Sequence, residues 1–399
     1  DMGGTSTDVS TVVDGRESFT TSFEIEFGVP IQIPMIDIRT MGAGGGSLAW
    51  IDKGGMLRVG PESAGASPGP ACYGKGGTQA TVTDANLVLG RINPENFLGG
   101  AMALDTEAAT AAVALVAKEI HKSVEETALG IIQIANNNMI GALRSVLTER
   151  GLDPRDFTLL AFGGAGPVHI SDLMPLANIP SGIVPNYPGQ FSAFGFTMTD
   201  ARIDVERTAP MTSKAFRADH ANDVMADLVR ESTAALSDQG YTSSIEIHRS
   251  LEMRYFGQNH ELEVPIDFEL FDDATIGSIW QSFHAAHHAR YNFDIPGETI
   301  ELISIKVTAI SAAERLALPE LATASSAPEP VSTRPVTFDD GIHDSKVYDR
   351  AKLLNGHRLE GPAVIEEPAS VTIIRPGQKV RVDIYGNLLL GDIAVLPAS

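Results

Sequence analysis

The first eight residues, Asp1-Met2-Gly3-Gly4-Thr5-Ser6-Thr7-Asp8, bring together two acids, two glycines and three hydroxyls. Without a Cβ at Gly3 and Gly4, the backbone can approach a phosphate closely and successive N–H groups can point at its oxygens. Thr5 and Thr7 add hydroxyl donors, with Ser6 between them in the same turn. A carboxylate beside a phosphate needs a cation between them, so Asp1 and Asp8 are read as the catalytic acids, holding Mg2+ directly, through water or through the phosphate. A tight turn capped by an aspartate would account for the same residues without any chemistry. A second glycine turn, Gly163-Gly164-Ala165-Gly166, lies between the apolar run 157–162 and Pro167. A strand that ends in small residues just ahead of a helix leaves room for a flat ring or a phosphate at the helix start. Close packing explains a lone glycine turn equally well.

Other residues offer weaker chemistry. Gly44 and Gly45, inside the run Gly42-Ala43-Gly44-Gly45-Gly46, could line a phosphate or substrate channel or simply form a packed turn. Asp37 and Arg39, on the strand before it, contact a substrate or make an internal ion pair. Asp84 and Asn86 cap a helix or sit near the cleft. His169 either touches a ligand or is a half-buried, hydrogen-bonded histidine. Lys75 reads as solvated. His284, His287 and His288 have a spacing that can bind zinc but lack the glutamate of the metalloprotease motif, and read as a solvated face. Ser192 lacks the G-x-S-x-G elbow of a serine hydrolase.

The elements that must position these residues follow from periodicity. Residues 9–13, 19–27 and 31–38 read as strands and 50–59 as a hairpin, followed by a long Gly/Pro loop over 60–80. A helix is expected over 106–121. A second opens on Ser123-Val124-Glu125-Glu126, a capping box, and carries an apolar stripe from Val124 to Val146. A strand over 157–162 leads into a helix beginning near Pro167. Beyond it, helices over 218–237 and 273–290 alternate with strands over 245–256, 261–266 and 300–309. Residues 317–333, with Pro319, Pro328 and Pro330, read as a linker, and the remainder as short strands and turns. The expected domains are 1–212, an α/β nucleotide-binding domain; 213–316, α+β; and 334–399, β-rich.

The chain has 29 Lys and Arg against 51 Asp and Glu, a net charge of −22. Nucleic acid and an acidic membrane surface are therefore repelled on average. No apolar run has the length of a membrane span. Cys72 is the only cysteine, which rules out an internal disulfide and fits a reducing cytoplasm.

Two glycine turns clamping a nucleotide resemble the actin/Hsp70/sugar-kinase superfamily. The resemblance sharpens along DMGGTSTDVS (1–10), PMIDIRTMGAGGGSLAWID (34–52), VGPESAGASPGPACYGKGGTQATVTDANLVLGR (59–91), ERGLDPRDFTLLAFGGAGPVH (149–169) and PGQFSAFGF (188–196). Together with the looser MRYFGQNHEL (253–262) and GPAVIEEPASVTIIRPG (361–377), these stretches resemble the ATP-using large subunit of the hydantoinase A/5-oxoprolinase family. The resemblance implies half of an actin-like (ribonuclease H-like) ATPase fold and a reaction in which ATP phosphorylates the oxygen of a cyclic amide or imide before C–N hydrolysis. It also implies ATP and Mg2+ as cofactors and, as partner, a hydantoinase B-type subunit or domain in a homo- or hetero-oligomer. Acetone- and acetophenone-type carboxylases share the nucleotide site, so a ketone-activating subunit is the alternative. The family's first phosphate hairpin is expected well upstream of Asp1. Without it, residues 1–399 are expected to bind nucleotide weakly and to lack turnover, and a non-catalytic fragment is the third reading.

Overall fold

The computed structural model describes residues 1–20, 23–25, 29–31, 35–313 and 316–391. The chain forms two compact units, Asp1–Phe194 with Leu318–Ser399, and Gly195–Ala317. Both mix helices and sheets, giving an α/β protein.

In the first unit, β1 (Thr7–Val9) pairs antiparallel with β2 (Arg39–Met41). A hairpin follows, β3 (Ser47–Ile51) with β4 (Leu57–Ser63). Three helices come next: α1 (Val82–Val88), α2 (Thr106–Ile120) and α3 (Val124–Thr148). The capping box foreseen at Ser123 is made in both directions, Ser123 Oγ accepting from Glu126 N–H and the Glu126 carboxylate accepting from Ser123 N–H. The α3 stripe places Ile131, Ile132, Ala135 and Met139 in a core with Ala85 and Val113. Each of the larger side chains among them contributes about 1.5–3 kcal/mol by leaving water. β5 (Thr158–Leu160) leads through the second glycine turn into α4 (Gly166–Ala177) and then β6 (Ser181–Val184), which runs parallel to β5.

The second unit is one antiparallel sheet with two helices. β7 (Ala201–Thr212), α5 (Ala218–Asp238), β8 (Ile245–Tyr255), β9 (Leu262–Ile266), α6 (Asp273–Tyr291) and β10 (Ile300–Ser311) follow in order. The sheet order is β7-β10-β8-β9, with a core of Leu228, Leu251, Phe283 and Ile305. β7 carries residues 201–212 into this unit, where Ala201 pairs with Ser311. The expected boundary at 212/213 therefore moves to the 194/195 region.

The C-terminal residues return to the first unit. β11 (Ser332–Phe338), β12 (Gly341–Asp349), β13 (Arg358–Glu360), β14 (Ala363–Glu367), β15 (Ser370–Ile374), β16 (Lys379–Val382) and β17 (Leu388–Gly391) make two sheets, β11-β12-β14-β15 and β5-β6-β17-β16-β13. β17 pairs antiparallel with β6, so residues 334–399 do not stand apart as their own domain. Nor is the proline-rich stretch before them a free linker: Leu321 N–H donates to Ile384 O at 2.7 Å and Ala324 N–H to Asn355 O at 2.9 Å. α4 lies between the two sheets, Ile170 and Met174 packing with Leu388 and Leu390, and Val168 with Val336 and Phe338. Among the described residues, no helix is long and apolar enough to cross a membrane.

Candidate functional site

The first eight residues form a hairpin. Asp8 N–H donates to Asp1 O at 2.8 Å and the Asp1 nitrogen donates to Asp8 O at 2.9 Å. Residues that exchange both bonds across an antiparallel pair present their side chains to the same face. The two acids therefore stand side by side. Ser192 Oγ donates to one oxygen of Asp1 at 2.7 Å, and Thr40 Oγ1 to one oxygen of Asp8 at 2.5 Å. Each hydroxyl fixes one carboxylate oxygen and leaves lone pairs for a cation or a water. Ser192 was not singled out for this role from sequence. Its stretch, PGQFSAFGF, was quoted only for resemblance.

Between the acids, the loop 3–6 is held from behind and open in front. Gly45 N–H donates to Gly3 O at 3.0 Å and Gly46 N–H to Gly4 O at 2.6 Å. A Cβ on Gly44 would lie 2.6 Å from the Thr5 backbone, so the glycine run is needed for this close approach. A Cβ on Gly3 or Gly4, by contrast, would meet nothing within 4 Å. The N–H groups of Gly4, Thr5 and Ser6 find no acceptor among the described residues. Three successive amide donors without an acceptor among the described residues, in a loop closed by two paired aspartates, are able to hold a phosphate with a bridging cation. No group of three or more metal-ligating side chains exists among the described residues. A Mg2+ shared with phosphate requires only one or two carboxylates, so the Asp1/Asp8 pair fits that ion.

The second glycine turn seats the first. Met2 N–H donates to Phe162 O and Ala165 N–H to Met2 O, both at 3.0 Å. Gly163 has φ +81°, and a Cβ there would sit 2.4 Å from an Asp1 carboxylate oxygen and 2.4 Å from Met2 O. Gly164 O accepts from Ser370 Oγ at 3.3 Å, and Gly166 begins α4. The hairpin borders two cavities. One, of about 260 Å³, is mostly apolar and reaches Asp1 and Asp8. The other, of about 170 Å³, is bounded by Gly3, Gly4, Gly45, Thr83, Asn86, Gly164 and Ala165.

Several residues expected in the cleft are engaged elsewhere. Thr7 is buried and its hydroxyl donates to Ala43 O, so it holds the hairpin and is not a phosphate donor. Asp84 is fully buried and accepts from Ala71 N–H, Cys72 N–H, Thr81 N–H and Thr81 Oγ1 at 2.7–3.2 Å. Its acceptor capacity serves the start of α1 and the preceding loop. Asp37 pairs with Arg150 at 2.5 Å and Arg39 with Glu149 at 2.8 Å, an ion-pair cluster at the C-terminal end of α3. His169 is fully buried, its Nδ1 2.7 Å from Asn136 Oδ1. Burial and the nearby Arg91 cation hold its pKa down to about 4, so it is neutral and out of reach of a ligand. Asp172, behind it, meets Arg91 at 3.1 Å and Arg375 at 2.6 Å, and these cations outweigh burial and hold its carboxyl below the ordinary range. Lys75 is exposed. His287, expected on a solvated face, is buried with Nδ1 2.7 Å from Phe293 O, while His284 meets the Tyr255 hydroxyl.

Residues 1–205 match the hydantoinase/oxoprolinase family and residues 208–391 its hydantoinase/oxoprolinase C-terminal domain. The chain is 38% identical over 392 residues to caprolactamase subunit alpha of Pseudomonas jessenii, covering 96% of this chain and 56% of that protein. It is 31% identical over 423 residues to 5-oxoprolinase 1 of Arabidopsis thaliana, covering 100% of this chain and 32% of that one. The crystal structure of ATP-dependent caprolactamase from Pseudomonas jessenii superposes with a TM-score of 0.82 at 37% identity, over 98% of this chain and 58% of that one. A nucleotide-free acetone carboxylase superposes with a TM-score of 0.82 at 25% identity, over the same shares of 98% and 58%. The chain thus spans between about a third and three fifths of the length of these relatives. Matches running from residue 1 to residue 391 lead to one conclusion: the chain belongs to the hydantoinase/oxoprolinase family.

Proposed function

We propose that this chain is the ATP-binding, phosphorylating part of an enzyme that hydrolyses a cyclic amide or imide of the hydantoin, 5-oxoproline or lactam type. The observation that carries the reading is the loop 3–6, whose amides at 4–6 have no acceptor among the described residues and which is closed by the paired Asp1 and Asp8. A neutral amide is a poor electrophile, and phosphorylation turns its oxygen into a leaving group. Bound ATP would supply the γ-phosphoryl group to the amide oxygen, leaving ADP. Water adds to the activated carbon, the C–N bond breaks with the nitrogen taking a proton, and a second water frees phosphate from the acid. The amides of Gly4, Thr5 and Ser6 would hold phosphate oxygens, while Asp1 and Asp8, oriented by Ser192 and Thr40, would hold Mg2+, which neutralises the charge on the transferring group.

Relatives named as subunits support a second component, and we read a hydantoinase B-type subunit or domain in a larger oligomer as the source of the hydrolytic step. The first unit is read as half of an actin/Hsp70-like ATPase cleft, the other half being supplied from outside residues 1–399, and the buried lone Cys72 fits a cytoplasmic protein. The likeness to acetone carboxylase favours a ketone-activating carboxylase subunit as the second reading. Products separate the two: a ring-opened acid with ADP, or bicarbonate consumption. In the assembled enzyme, Asp1→Asn is expected to lower turnover by at least about 100-fold, because a positioned metal contributes several kcal/mol to the transition state. Near-normal turnover would refute the assignment. Ser192→Ala, which frees Asp1 but leaves its charge, is expected to cost about tenfold.

A further inference from the structure

The cavity of about 170 Å³ beside the phosphate loop contains a polar group that the reaction outlined above does not use. Asn86, on α1, lines it and is only 3% exposed, and its Oδ1 has no hydrogen-bond partner among the described residues. A buried amide oxygen left unpaired is destabilising, a penalty that a ligand N–H would remove. Two neighbouring polar groups, Thr83 and Glu366, are already committed. Thr83 Oγ1 donates to Gly45 O at 2.8 Å, and Glu366 accepts from Arg334, Asn93 and Asn96. Glu367 lines the same cavity and its Oε1 is likewise unpartnered. Apolar side chains, including Ile92, Phe97, Leu98 and Val168, make up much of the remaining wall.

A carboxamide offers an acceptor next to a donor and pairs bidentately with a ring edge that offers the complementary couple. The cavity is smaller than the roughly 300–1,000 Å³ of pockets for drug-sized ligands, so it suits one ring and not a whole nucleotide. The site lies within reach of Gly3 and Gly4, where phosphate is expected. We propose that Asn86 is the ring-reading residue of this site, pairing through its carboxamide with the adjacent N–H and acceptor of one flat ring, either the adenine of ATP or the cyclic amide. This rests on the proposed function, because that reaction brings both rings to the phosphate loop.

The test uses the assembled enzyme with Asn86→Ala and the isosteric Asn86→Asp. Affinities for Mg-ATP, Mg-GTP and inorganic tripolyphosphate are measured, with KM for 5-oxoproline, hydantoin and caprolactam. If the ring is adenine, both variants weaken Mg-ATP at least about tenfold and compress the ATP/GTP preference, with tripolyphosphate unchanged. If the ring is the cyclic amide, nucleotide affinities hold while KM rises at least about tenfold and ATP hydrolysis uncouples from ring opening. Should Asn86→Ala not fold, Asn86→Asp decides. ATP/GTP preference and KM both within about twofold of wild type in a folded variant overturn the proposal. Failure of the wild type to bind either Mg-ATP or tripolyphosphate instead overturns the nucleotide reading itself.

Discussion

Acidification provides a quantitative test of the buried cluster behind α4. His169 is fully buried, and its pKa falls from 6.5 to about 4 because burial and the Arg91 cation disfavour the imidazolium, with Asp172 opposing them. In the unfolded chain the same imidazole takes up a proton near 6.5. Between these values the unfolded state binds more protons than the folded one, so stability rises with pH. The contribution is complete above pH 6.5 and is lost progressively as the pH falls toward 4. At pH 5 the linkage relation gives a loss of about 2 kcal/mol. His169→Gln keeps an amide donor for Asn136 but does not titrate, so all other groups cancel in the comparison. Urea unfolding can be followed by Trp50 fluorescence in a Trp280→Phe background, which confines the signal to the first unit. Wild type should lose about 2 kcal/mol more than the variant between pH 7.5 and 5. Equal losses in the two proteins would show that His169 is not held neutral in the fold, and the buried placement would be wrong.

Other perturbations probe the seat of the loop and the second buried acid. Gly163→Ala puts a methyl 2.4 Å from Asp1 and Met2 at φ +81°. It should cost about 1–3 kcal/mol in a thermal melt and weaken Mg-ATP binding, whereas Gly4→Ala, facing open space, should melt within about 0.5–1 kcal/mol of wild type. Burial, only partly offset by Arg350, raises the Glu367 carboxyl to about 7. The folded state therefore keeps a proton that the unfolded chain releases near 4.5, and stability falls as the pH rises through 7. Glu367→Gln should be more stable than wild type by up to about 3 kcal/mol at pH 8, with the gap closing toward pH 4.5 in denaturant titrations.

Where a local signal carried the information, it was legible. The capping box at Ser123, the α3 stripe and the start of α4 after Gly163-Gly164-Ala165-Gly166 follow from spacing alone. The misreadings share another cause. Of the two readings of Asp84, helix cap and cleft residue, the structure realises the first, since Thr81-Val82-Thr83-Asp84 forms its own capping box. His169 gave no sign in sequence that the helix carrying it is covered by sheets on both sides. The boundary near 212 failed because β7 finds its partner about a hundred residues away, and the fate of residues 334–399 was hidden because four-residue strands such as β17 carry no register information.

The pairing of Ser181 with Gly391 has a temporal consequence. A strand in the middle of the sheet flanking the phosphate turn is supplied by nearly the last described residues, while an autonomous unit interrupts the sequence between them. During synthesis, Gly195–Ala317 is complete and can collapse around its own core before the earlier portion has its missing strands. Until Leu388–Leu390 emerge, β6 presents a bare hydrogen-bonding edge, and closing so long a loop is slow and prone to wrong partners. Truncations removing these final strands are thus expected to fail by aggregation, although they leave every loop residue untouched.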